Sequence, residues 1–451
     1  MPFKPTPDLP RHLTDLLGPD RVVVDRSILA SVETDWTGRF HGTALALVRP
    51  RHVDEVAALV SWCAKNQVAL TTRGGNTGLV AGAVPDATVV LSTARLADIE
   101  EIDGQGGQAS VGSGVPLSAL QRELRSTPWE FGVDLGARDS ATIGGMVATN
   151  AGGIRVVRHG TMRAQLLGIE AVLGDGSVVR HMGGLMKDNT GYDLAALLCG
   201  SEGTLGVVTA VRLRLVPSFS ERVTALVALA SVAEAVAFCG RLRREVPSLD
   251  GIEAIVAPLV SITAAALGLA PLFADAPVVV LAEVASHVDP TAELAELLSG
   301  LEHAVATDGV SRAKLWRYRE GCTEAISRLG VPHKLDVTLP AAEIAAFVSE
   351  VGSLAERVAM ASFVFGHLGD GNLHVNILGA DADDDTVDDA ILRLAAARGG
   401  SVSAEHGIGR AKRRWLSLCR SDAEIAAFRA LKRALDPCGV LNPGVLLPDV
   451  S

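Results

Sequence analysis

The sequence predicts an α+β protein of two domains, as its length and two changes of pattern along the chain indicate. At 451 residues the chain is longer than one hydrophobic core usually serves. Residues 44–72 have the pattern strand, helix, strand, with apolar residues at helical spacing in the middle part. From 88 to 215, short β-branched runs alternate with dense glycine. From 221 to about 360, alanine-rich helical patterns surround two strand-like runs, as in an antiparallel sheet covered by helices.

Turn-rich stretches suggest where the domains end. Residues 217–220 separate the glycine-rich part from the alanine-rich part, and the ending LDPCGVLNPG follows a predicted helix at 421–435. We therefore expect a first domain of two α/β lobes, a cap domain, and a C-terminal segment that packs back on the first domain. Their predicted ranges are 1–217, 218–400 and 401–451.

Charge and composition exclude several classes of protein. A net charge of −11 disfavours nucleic acid as a partner, because phosphate binding needs concentrated positive charge. The six cysteines are scattered without a CxxC pair, which argues against a disulfide framework and a thiolate metal site. The sequence contains no run of about 18 apolar residues, which a membrane helix would require. The start, MPFKPTPDLPRHLTDLL, lacks the pattern of a signal peptide, so we expect a cytoplasmic location.

Three glycine-rich segments predict a site for a phosphate-bearing cofactor. The first, RGGNTG at 73–78, follows a strand, so its main-chain N–H groups can surround an anion. Taken alone it is equally well a tight turn, and it is not a GxGxxG fingerprint. The segments at 141–153 and 200–209 add further glycines, amides and hydroxyls. Three such loops in one domain indicate a long cofactor that contains a pyrophosphate.

Histidines and a glutamate near the C-terminus form a candidate metal site. The stretch GHLGDGNLHVN reads as strand, tight turn and strand, which can bring His367 and His374 face to face. Asn376 projects from the same side as His374 because it is two residues further on. In SAEHGIG, Glu405 can complete a two-His, one-carboxylate set with open coordination positions, while His406 serves as a proton acceptor. For each histidine alone, a hydrogen-bonded structural role is the competing interpretation.

A third group of polar residues can hold a carboxylate. Arg319 and Thr323 are four residues apart in LWRYREGCTEA, which predicts neighbouring positions on one helix face. Lys334 follows in the next predicted element. A guanidinium, a hydroxyl and an ammonium can together bind a carboxylate, and Arg offers two donors in a fork. The alternative is an ordinary solvated helix face.

Four stretches resemble one flavoprotein family over most of the chain: RGGNTGLVAG, DLGARDSATIGGMVATNAGG, KDNTGYDLAALLCGSEGTLGVVT and LDPCGVLNPG. They are similar to the vanillyl-alcohol-oxidase type of FAD-binding fold, so the resemblance implies an FAD-binding domain plus a cap domain. Some relatives attach FAD to a histidine in the first loop. This loop has none, so we expect noncovalent FAD. The FAD contacts that the resemblance implies are Arg73, Gly74, Gly75, Asn76, Thr77, Gly78, Ile143, Gly144, Gly145, Asn150, Gly152, Gly153 and Val208.

GHLGDGNLHVN and SAEHGIG resemble the metal-dependent D-2-hydroxy-acid dehydrogenase branch of this family. That resemblance implies that His367, His374 and Glu405 bind zinc or a similar divalent ion. The spacing of Arg319, Thr323 and Lys334 resembles the subgroup that acts on D-2-hydroxyglutarate. We therefore hypothesise that the metal activates the 2-hydroxyl, His406 takes its proton, and the C2 hydride moves to flavin N5.

Several alternatives stay open at this point. A D-lactate or glycolate dehydrogenase of the same fold, which would not need to bind a second carboxylate, is the nearest alternative. An oxidase that uses oxygen directly is another, and a noncatalytic nucleotide- or metal-binding protein belongs to a different class. The electron acceptor is expected to be electron-transfer flavoprotein, a quinone or a cytochrome. A homodimer is the default expectation for the assembly.

Overall fold

The computed structural model describes residues 8–381 and 384–448. The first seven residues, on which the predicted location partly depends, lie outside the described residues. The α-helices are α1 Leu9–Leu17, α2 Arg26–Ala30, α3 Val53–Asn66, α4 Leu117–Leu124, α5 Ile143–Thr149, α6 Val156–His159, α7 Met162–Gln165, α8 Leu194–Leu198, α9 Val232–Glu245, α10 Leu259–Leu267, α11 Thr291–Leu298, α12 Gly309–Glu320, α13 Cys322–Leu329, α14 Ile344–Arg357, α15 Thr386–Ala397, α16 Leu416–Cys419 and α17 Asp422–Leu435.

Short strands alternate with these helices, and 3-10 turns lie at Pro19–Arg21, Ala341–Glu343 and Arg413–Trp415. The strands are β1 Val22–Val23, β2 Thr43–Val48, β3 Leu70–Arg73, β4 Asp86–Ser92, β5 Ile99–Asp103, β6 Gln108–Gly112, β7 Trp129–Glu130, β8 Leu166–Val172, β9 Val178–His181, β10 Val207–Arg214, β11 Val216–Pro217, β12 Glu221–Leu229, β13 Leu249–Val256, β14 Val278–Ser286, β15 His303–Ala306, β16 His333–Thr338, β17 Ala361–Gly366 and β18 Asn372–Leu378.

The chain divides into two compact units. The first contains the described residues up to 152, residues 160–217 and those from 405 onward, and the second contains residues 153–159 and 218–404. The second unit therefore includes α6, a short segment inserted from the middle of the first unit's sequence. Within the described residues, no helix has the combined length and apolar character needed to cross a bilayer.

The first unit contains two main sheets, each with its own core. A four-stranded sheet has the order β1-β2-β4-β3, with parallel pairing of β2 and β3 to β4. Its core includes Val56, Leu59 and Val60 of α3, whose helical spacing in the sequence places them on one buried face. The second sheet has the order β5-β6-β10-β8-β9 and is antiparallel throughout. The first glycine-rich segment follows β3 of the four-stranded sheet, and the third runs into β10 of the five-stranded sheet.

The second unit is built on a seven-stranded antiparallel sheet with the order β15-β12-β14-β13-β17-β18-β16. The interior strand β14 reads VVVLAEVAS and is almost entirely buried, which explains its near-continuous apolar sequence. Helices α10, α12 and α13 pack on one face of this sheet through a core that includes Leu259, Leu315 and Phe365. This confirms the predicted antiparallel sheet covered by helices.

Candidate active site

Four neighbouring strands of the second unit direct polar side chains to one face of its sheet. In β16 and β18, Lys334 pairs with Asn376 and Asp336 pairs with His374. Directly opposed residues in an antiparallel pair project to the same side, and so do residues two apart on one strand. The face therefore carries an ammonium, an amide, a carboxylate and an imidazole next to one another. This confirms that His374 and Asn376 project from the same side.

The neighbouring strand extends this face with an aromatic ring and a second imidazole. Phe365 on β17 pairs with His374, and their ring centroids are 5.2 Å apart. His367 follows the end of β17 and its ring lies 5.3 Å from that of His374, at 80°. The strand–turn–strand arrangement predicted for GHLGDGNLHVN is therefore confirmed. Gly371 in this turn has φ +85°, a conformation that favours glycine.

The segment that continues from Ala404 supplies the remaining candidate ligands. The main-chain N–H of Ala404 donates to Oδ2 of Asp336 at 3.0 Å, which ties this segment to β16. Asp336, His374, Glu405 and His406 each offer a ligand atom, and these atoms lie within 4.8 Å of one another. Nitrogen and carboxylate oxygen donors at such separations suit a divalent ion such as zinc, manganese or iron.

This group differs from the predicted ligand set in two ways. Asp336 belongs to it although the sequence interpretation did not include this residue. Its position two residues after Lys334 on a strand was the signal that would have identified it. His406, predicted to stay off the metal, also offers a ring nitrogen to the group, whereas His367 is not one of the four. The roles of His367, Glu405 and His406 stay predictions.

Each of the two predicted ligand histidines has a buried carboxylate at its Nδ1 atom. Nδ1 of His367 lies 2.5 Å from Oε1 of Glu253, and Nδ1 of His374 lies 3.4 Å from Oδ1 of Asp336. Both carboxylates are fully buried. A carboxylate at Nδ1 favours the tautomer whose Nε2 atom can bind a metal. Nε2 of His367 is therefore the atom suited to coordination, whereas the 3.4 Å ion-pair contact at His374 does not select between its two ring nitrogens.

The predicted carboxylate clamp is distributed over two helices rather than one. Arg319 lies in α12 and Thr323 in α13, so the prediction of one continuous helix face is wrong. The helices meet at Gly321, where an added Cβ would lie 2.2 Å from a methyl carbon of Leu267 in α10. Close packing of α10 against this junction thus explains the glycine.

The two cations of the clamp differ in their surroundings. Nε of Arg319 donates to Oε2 of Glu253 at 2.5 Å, and its guanidinium lies 4.6 Å above the ring of Phe365. Lys334 is half-buried on β16, and burial lowers the pKa of its ammonium. An anion bound near this ammonium would offset that burial. Whether Arg319, Thr323 and Lys334 contact a substrate stays a prediction.

In the first unit, the structure brings the predicted cofactor segments together around α5. A Cβ on Gly75 would lie 1.8 Å from the main-chain oxygen of Ser140, and one on Gly74 would lie 2.5 Å from Oγ1 of Thr142. Thr142 caps α5 by accepting a hydrogen bond from Gly145. The first two glycine-rich segments therefore pack against each other at a distance that side chains would prevent.

The third segment contacts the other end of the same helix. The N–H groups of Gly200 and Glu202 donate to the carbonyls of Val147 and Ala148 at 2.9 and 2.7 Å. Around Gly78, by contrast, an added Cβ would meet no atom within 4 Å. Main-chain groups with space beside them are suited to a pyrophosphate, so these residues fit FAD.

The other predicted FAD contacts have definite places in the fold. Arg73 and Asn76 donate side-chain hydrogen bonds to main-chain oxygens at 31–34, and Asn150, at φ 52°, accepts one from the N–H of Arg163. Val208 is buried on β10. Four contacts lie in the segments just described, namely Thr77, Ile143, Gly144 and Gly152, while Gly153 begins the part of the chain assigned to the second unit. Their contacts with FAD stay predictions.

Glu202 is a buried carboxylate whose role the sequence interpretation did not include. Its two oxygens accept hydrogen bonds from the N–H groups of Ile408 and Gly409 at 2.8 and 2.7 Å. Burial raises the pKa of Glu202, although these two bonds act in the opposite direction. Glu202 thus holds the glycine-rich end of SAEHGIG just after His406.

Comparison with known proteins agrees with this geometry. The family described as "FAD binding domain" matches residues 44–181, and "FAD linked oxidases, C-terminal domain" matches residues 219–446. The chain is 36% identical to the mitochondrial D-2-hydroxyglutarate dehydrogenase of Bos taurus, covering 95% of this chain and 82% of that protein. It is 37% identical to the D-2-hydroxyglutarate dehydrogenase of Xanthomonas citri pv. viticola, covering 91% of each. For the Stutzerimonas stutzeri enzyme of the same name the values are 34%, 97% and 98%.

Solved structures show the same fold at low sequence identity. A p-cresol methylhydroxylase structure has a TM-score of 0.80 at 16% identity, covering 96% of this chain and 95% of that one. The 4-ethylphenol oxidase of Gulosibacter chungangensis has a TM-score of 0.77 at 17% identity and covers 97% of both chains. The chain therefore belongs to the FAD-linked oxidase family, which has the vanillyl-alcohol-oxidase type of fold. Within it, the protein is an FAD-dependent dehydrogenase of the D-2-hydroxyglutarate dehydrogenase type.

Proposed function

We propose that this protein oxidises D-2-hydroxyglutarate, or a similar D-2-hydroxy acid, to the 2-oxo acid. The observation that carries the proposal is the group Asp336, His374, Glu405 and His406, whose ligand atoms lie within 4.8 Å of one another. Relatives that cover almost the whole chain bear the name D-2-hydroxyglutarate dehydrogenase, which supports the choice of acid. Oxidation removes one proton and one hydride from the substrate, so the site needs a base and an electron acceptor.

The proposed roles of the residues follow from their chemistry. His374 and Glu405, with His367 or Asp336, hold a divalent ion, for which zinc is the first candidate. His406 takes the proton of the 2-hydroxyl group as general base. Bound metal would lower the pKa of that hydroxyl, and noncovalently bound FAD would accept the hydride. Asn376 donates to an oxygen of the substrate from the same sheet face.

The second carboxylate of the substrate is proposed to bind Arg319, Thr323 and Lys334. Arg319 supplies a planar fork, and Lys334 supplies a second positive charge on β16. A net charge of −11 disfavours anions at long range, so these local cations have to select the substrate. An acid without the second carboxylate would not form these contacts.

We also propose an electron acceptor, an assembly and a cellular location for this protein. The reduced flavin passes its electrons to electron-transfer flavoprotein, a quinone or a cytochrome. The assembly is a homodimer. The protein acts in the cytoplasm. None of these affects the chemistry at the sheet face, and each can be tested separately from the substrate.

The test is anaerobic reduction of the bound flavin by a panel of D-2-hydroxy acids, with and without a chelator. We expect fast bleaching by D-2-hydroxyglutarate, slower bleaching by D-lactate and glycolate, and loss of bleaching after complete metal removal. Re-addition of Zn²⁺ or Mn²⁺ should restore it.

Other outcomes would favour the competing functions. Preference for D-lactate or glycolate would contradict the dicarboxylate assignment, and undiminished bleaching after metal removal would contradict the metal assignment. Rapid hydrogen peroxide formation would identify an oxidase. A purified protein without a flavin spectrum would contradict the whole proposal in favour of a noncatalytic binding protein.

A further inference from the structure

Glu253 is a charged residue at the centre of an apolar sheet. It lies on β13 in the sequence LDGIEAIV and is 0% exposed. Its Cα partner on β14 is Leu281, and Ile255, on the same face of β13, pairs with Phe365. A carboxylate in such surroundings is retained only where positive or donor groups compensate for its lost hydration.

Two donors, one for each oxygen, provide this compensation. Oε1 lies 2.5 Å from Nδ1 of His367, and Oε2 accepts from Nε of Arg319 at 2.5 Å. The carboxylate therefore bridges two side chains that are 48 positions apart in the sequence, on α12 and after β17.

The bond to His367 determines which ring nitrogen can act as a ligand. When Nδ1 carries the proton that Glu253 accepts, the lone pair lies on Nε2. The bond also fixes the rotation of the ring about its own axis. Both effects increase the fraction of molecules in which His367 is ready to coordinate a metal.

The bond to Arg319 has a parallel effect on the guanidinium. With Nε directed to Glu253 and one face of the group stacked over Phe365, the plane of the guanidinium is fixed. The edge formed by the two terminal nitrogens, Nη1 and Nη2, then has a defined direction. This edge is the one that binds a carboxylate through two parallel hydrogen bonds.

We propose that Glu253 is a positioning residue that aligns both the metal ligand His367 and the substrate-binding Arg319. This inference rests on the proposed function, because it assigns Glu253 to the same metal and the same substrate carboxylate. It adds that the two ends of the substrate are recognised by groups held by one buried carboxylate. Changing Glu253 should therefore affect metal affinity and recognition of the second carboxylate together.

The main variant is Glu253→Gln, which keeps the shape of the side chain and removes its charge. The amide can accept a hydrogen bond at one end only, so either His367 or Arg319 meets a donor instead of an acceptor. Glu253→Asp keeps the charge but withdraws the carboxylate by one methylene. It provides a second variant in case Glu253→Gln does not fold.

Glu283 provides a matched control. It is a buried carboxylate on β14, and it shares a sheet face with Glu253 because its Cα lies two residues from Leu281. Its partners include Thr224, Trp316, Arg312 and Arg222, all outside the predicted site. Glu283→Gln therefore removes a buried charge from the same sheet without altering His367 or Arg319.

The first measurement is Zn²⁺ affinity, determined by chelator competition on full-length, FAD-loaded, metal-stripped protein. We expect Glu253→Gln to weaken Zn²⁺ binding by about 10- to 100-fold, the usual effect of losing a carboxylate behind a ligand histidine. Glu283→Gln should retain the wild-type affinity. The measurement needs no substrate turnover, so it does not depend on the identity of the acid.

The second measurement compares KM for D-2-hydroxyglutarate with KM for D-2-hydroxybutyrate, which lacks the second carboxylate. Glu253→Gln should raise the first KM more than the second, whereas a purely structural role would raise both equally. Folded Glu253 variants with wild-type Zn²⁺ affinity and an unchanged KM ratio would overturn the inference. Equal losses of Zn²⁺ affinity in Glu253→Gln and Glu283→Gln would also overturn it. Failure of the wild type to bind Zn²⁺ or to oxidise either acid would instead contradict the proposed function.

Discussion

The two units position their candidate functional residues by different means. In the first unit, the predicted FAD segments are held by main-chain contacts around α5, at distances that require glycine. In the second unit, charged and polar side chains project from β13, β17, β18 and β16 and hold one another by buried ion pairs. A site built from main-chain groups should be disturbed by substitutions that add atoms. A site built from side chains should be disturbed by substitutions that remove a charge or change side-chain geometry.

The largest expected effect comes from removing the proposed base. His406→Ala should slow anaerobic flavin reduction by D-2-hydroxyglutarate about 10²- to 10⁴-fold, the usual contribution of a general base. The bound FAD should remain, because no predicted FAD contact is changed. Stopped-flow absorbance of the flavin measures the rate. His303→Ala, an exposed histidine on β15, is the control. A wild-type reduction rate in His406→Ala would contradict the assignment of the base.

The next effect concerns the stability of the second unit. Asp250 is fully buried against Arg158 and Arg222, so Asp250→Asn should lower the free energy of unfolding by about 3–5 kcal/mol, as for other broken buried ion pairs. Asp389→Asn, which breaks an exposed pair with Arg393, should lower it by only about 0–1 kcal/mol. Denaturant titration measures both. Equal effects of the two variants would show that buried charge does not hold this unit together.

The stability difference between wild type and Asp250→Asn should depend on pH. Burial alone would raise the pKa of Asp250, but His159, Arg155, Arg222 and Arg158 together lower it well below its usual range. A carboxylate with a lowered folded-state pKa contributes stability that is present above about pH 4 and declines below it. The difference between the two proteins should therefore shrink as the pH falls below about 4. A constant difference would contradict this assignment.

The third effect separates packing from cofactor binding in the first unit. Gly75→Ala would place a Cβ 1.8 Å from the main-chain oxygen of Ser140, so it should destabilise even the FAD-free protein by about 1–3 kcal/mol. Gly78→Ala meets no protein atom within 4 Å, so it should leave that stability unchanged and weaken FAD binding. Thermal unfolding and FAD titration of the apoprotein distinguish the two. Wild-type FAD affinity in Gly78→Ala would contradict the predicted contact between Gly78 and FAD.

The smallest expected effect tests the hydroxyl of the clamp. Thr323→Val should remove one hydrogen bond from a hydroxyl to the second carboxylate, worth about 1.5 kcal/mol at the lower end for a bond to a charged group. This corresponds to a rise in KM for D-2-hydroxyglutarate of roughly 10-fold. KM for D-lactate should not change, and Thr323→Ser should restore the wild-type value. Equal changes with both acids would place Thr323 outside the clamp.

Local pattern was sufficient to predict several parts of this structure. The predicted helix in VDEVAALVSWCAKN matches α3, because its buried residues recur at helical spacing. The period of two along a strand placed His374 and Asn376 on one face, and the glycine-flanked turn brought His367 to His374. Where one element contains both partners, or two elements are joined by a short turn, the sequence pattern specifies the geometry.

Long-range strand pairing explains what sequence interpretation missed. Glu253 reaches His367 because β13 pairs with β17, and no local pattern in either strand indicates that pairing. The need for glycine at position 321 depends on α10, which lies more than fifty residues earlier in the chain. Glu202 contacts Ile408 across 206 positions of sequence. Asp336 is different, because it lies two residues after Lys334 on β16. The alternation of side chains along a strand is therefore enough to predict that both project to the same side.

The break between α12 and α13 also has a consequence for how such enzymes diverge. Two of the three residues proposed to select the acid, Arg319 and Thr323, belong to a helix pair, whereas Lys334 and the candidate metal ligands belong to strands and the segment after Ala404. Exchange of the short helix pair would therefore change part of the substrate-binding group without rebuilding the strands. Glu253 limits this freedom, because any replacement helix has to present a donor to its buried carboxylate. Natural divergence and enzyme engineering would thus share one constraint, which is the hydrogen bond between the helix pair and the buried carboxylate of Glu253 in the sheet.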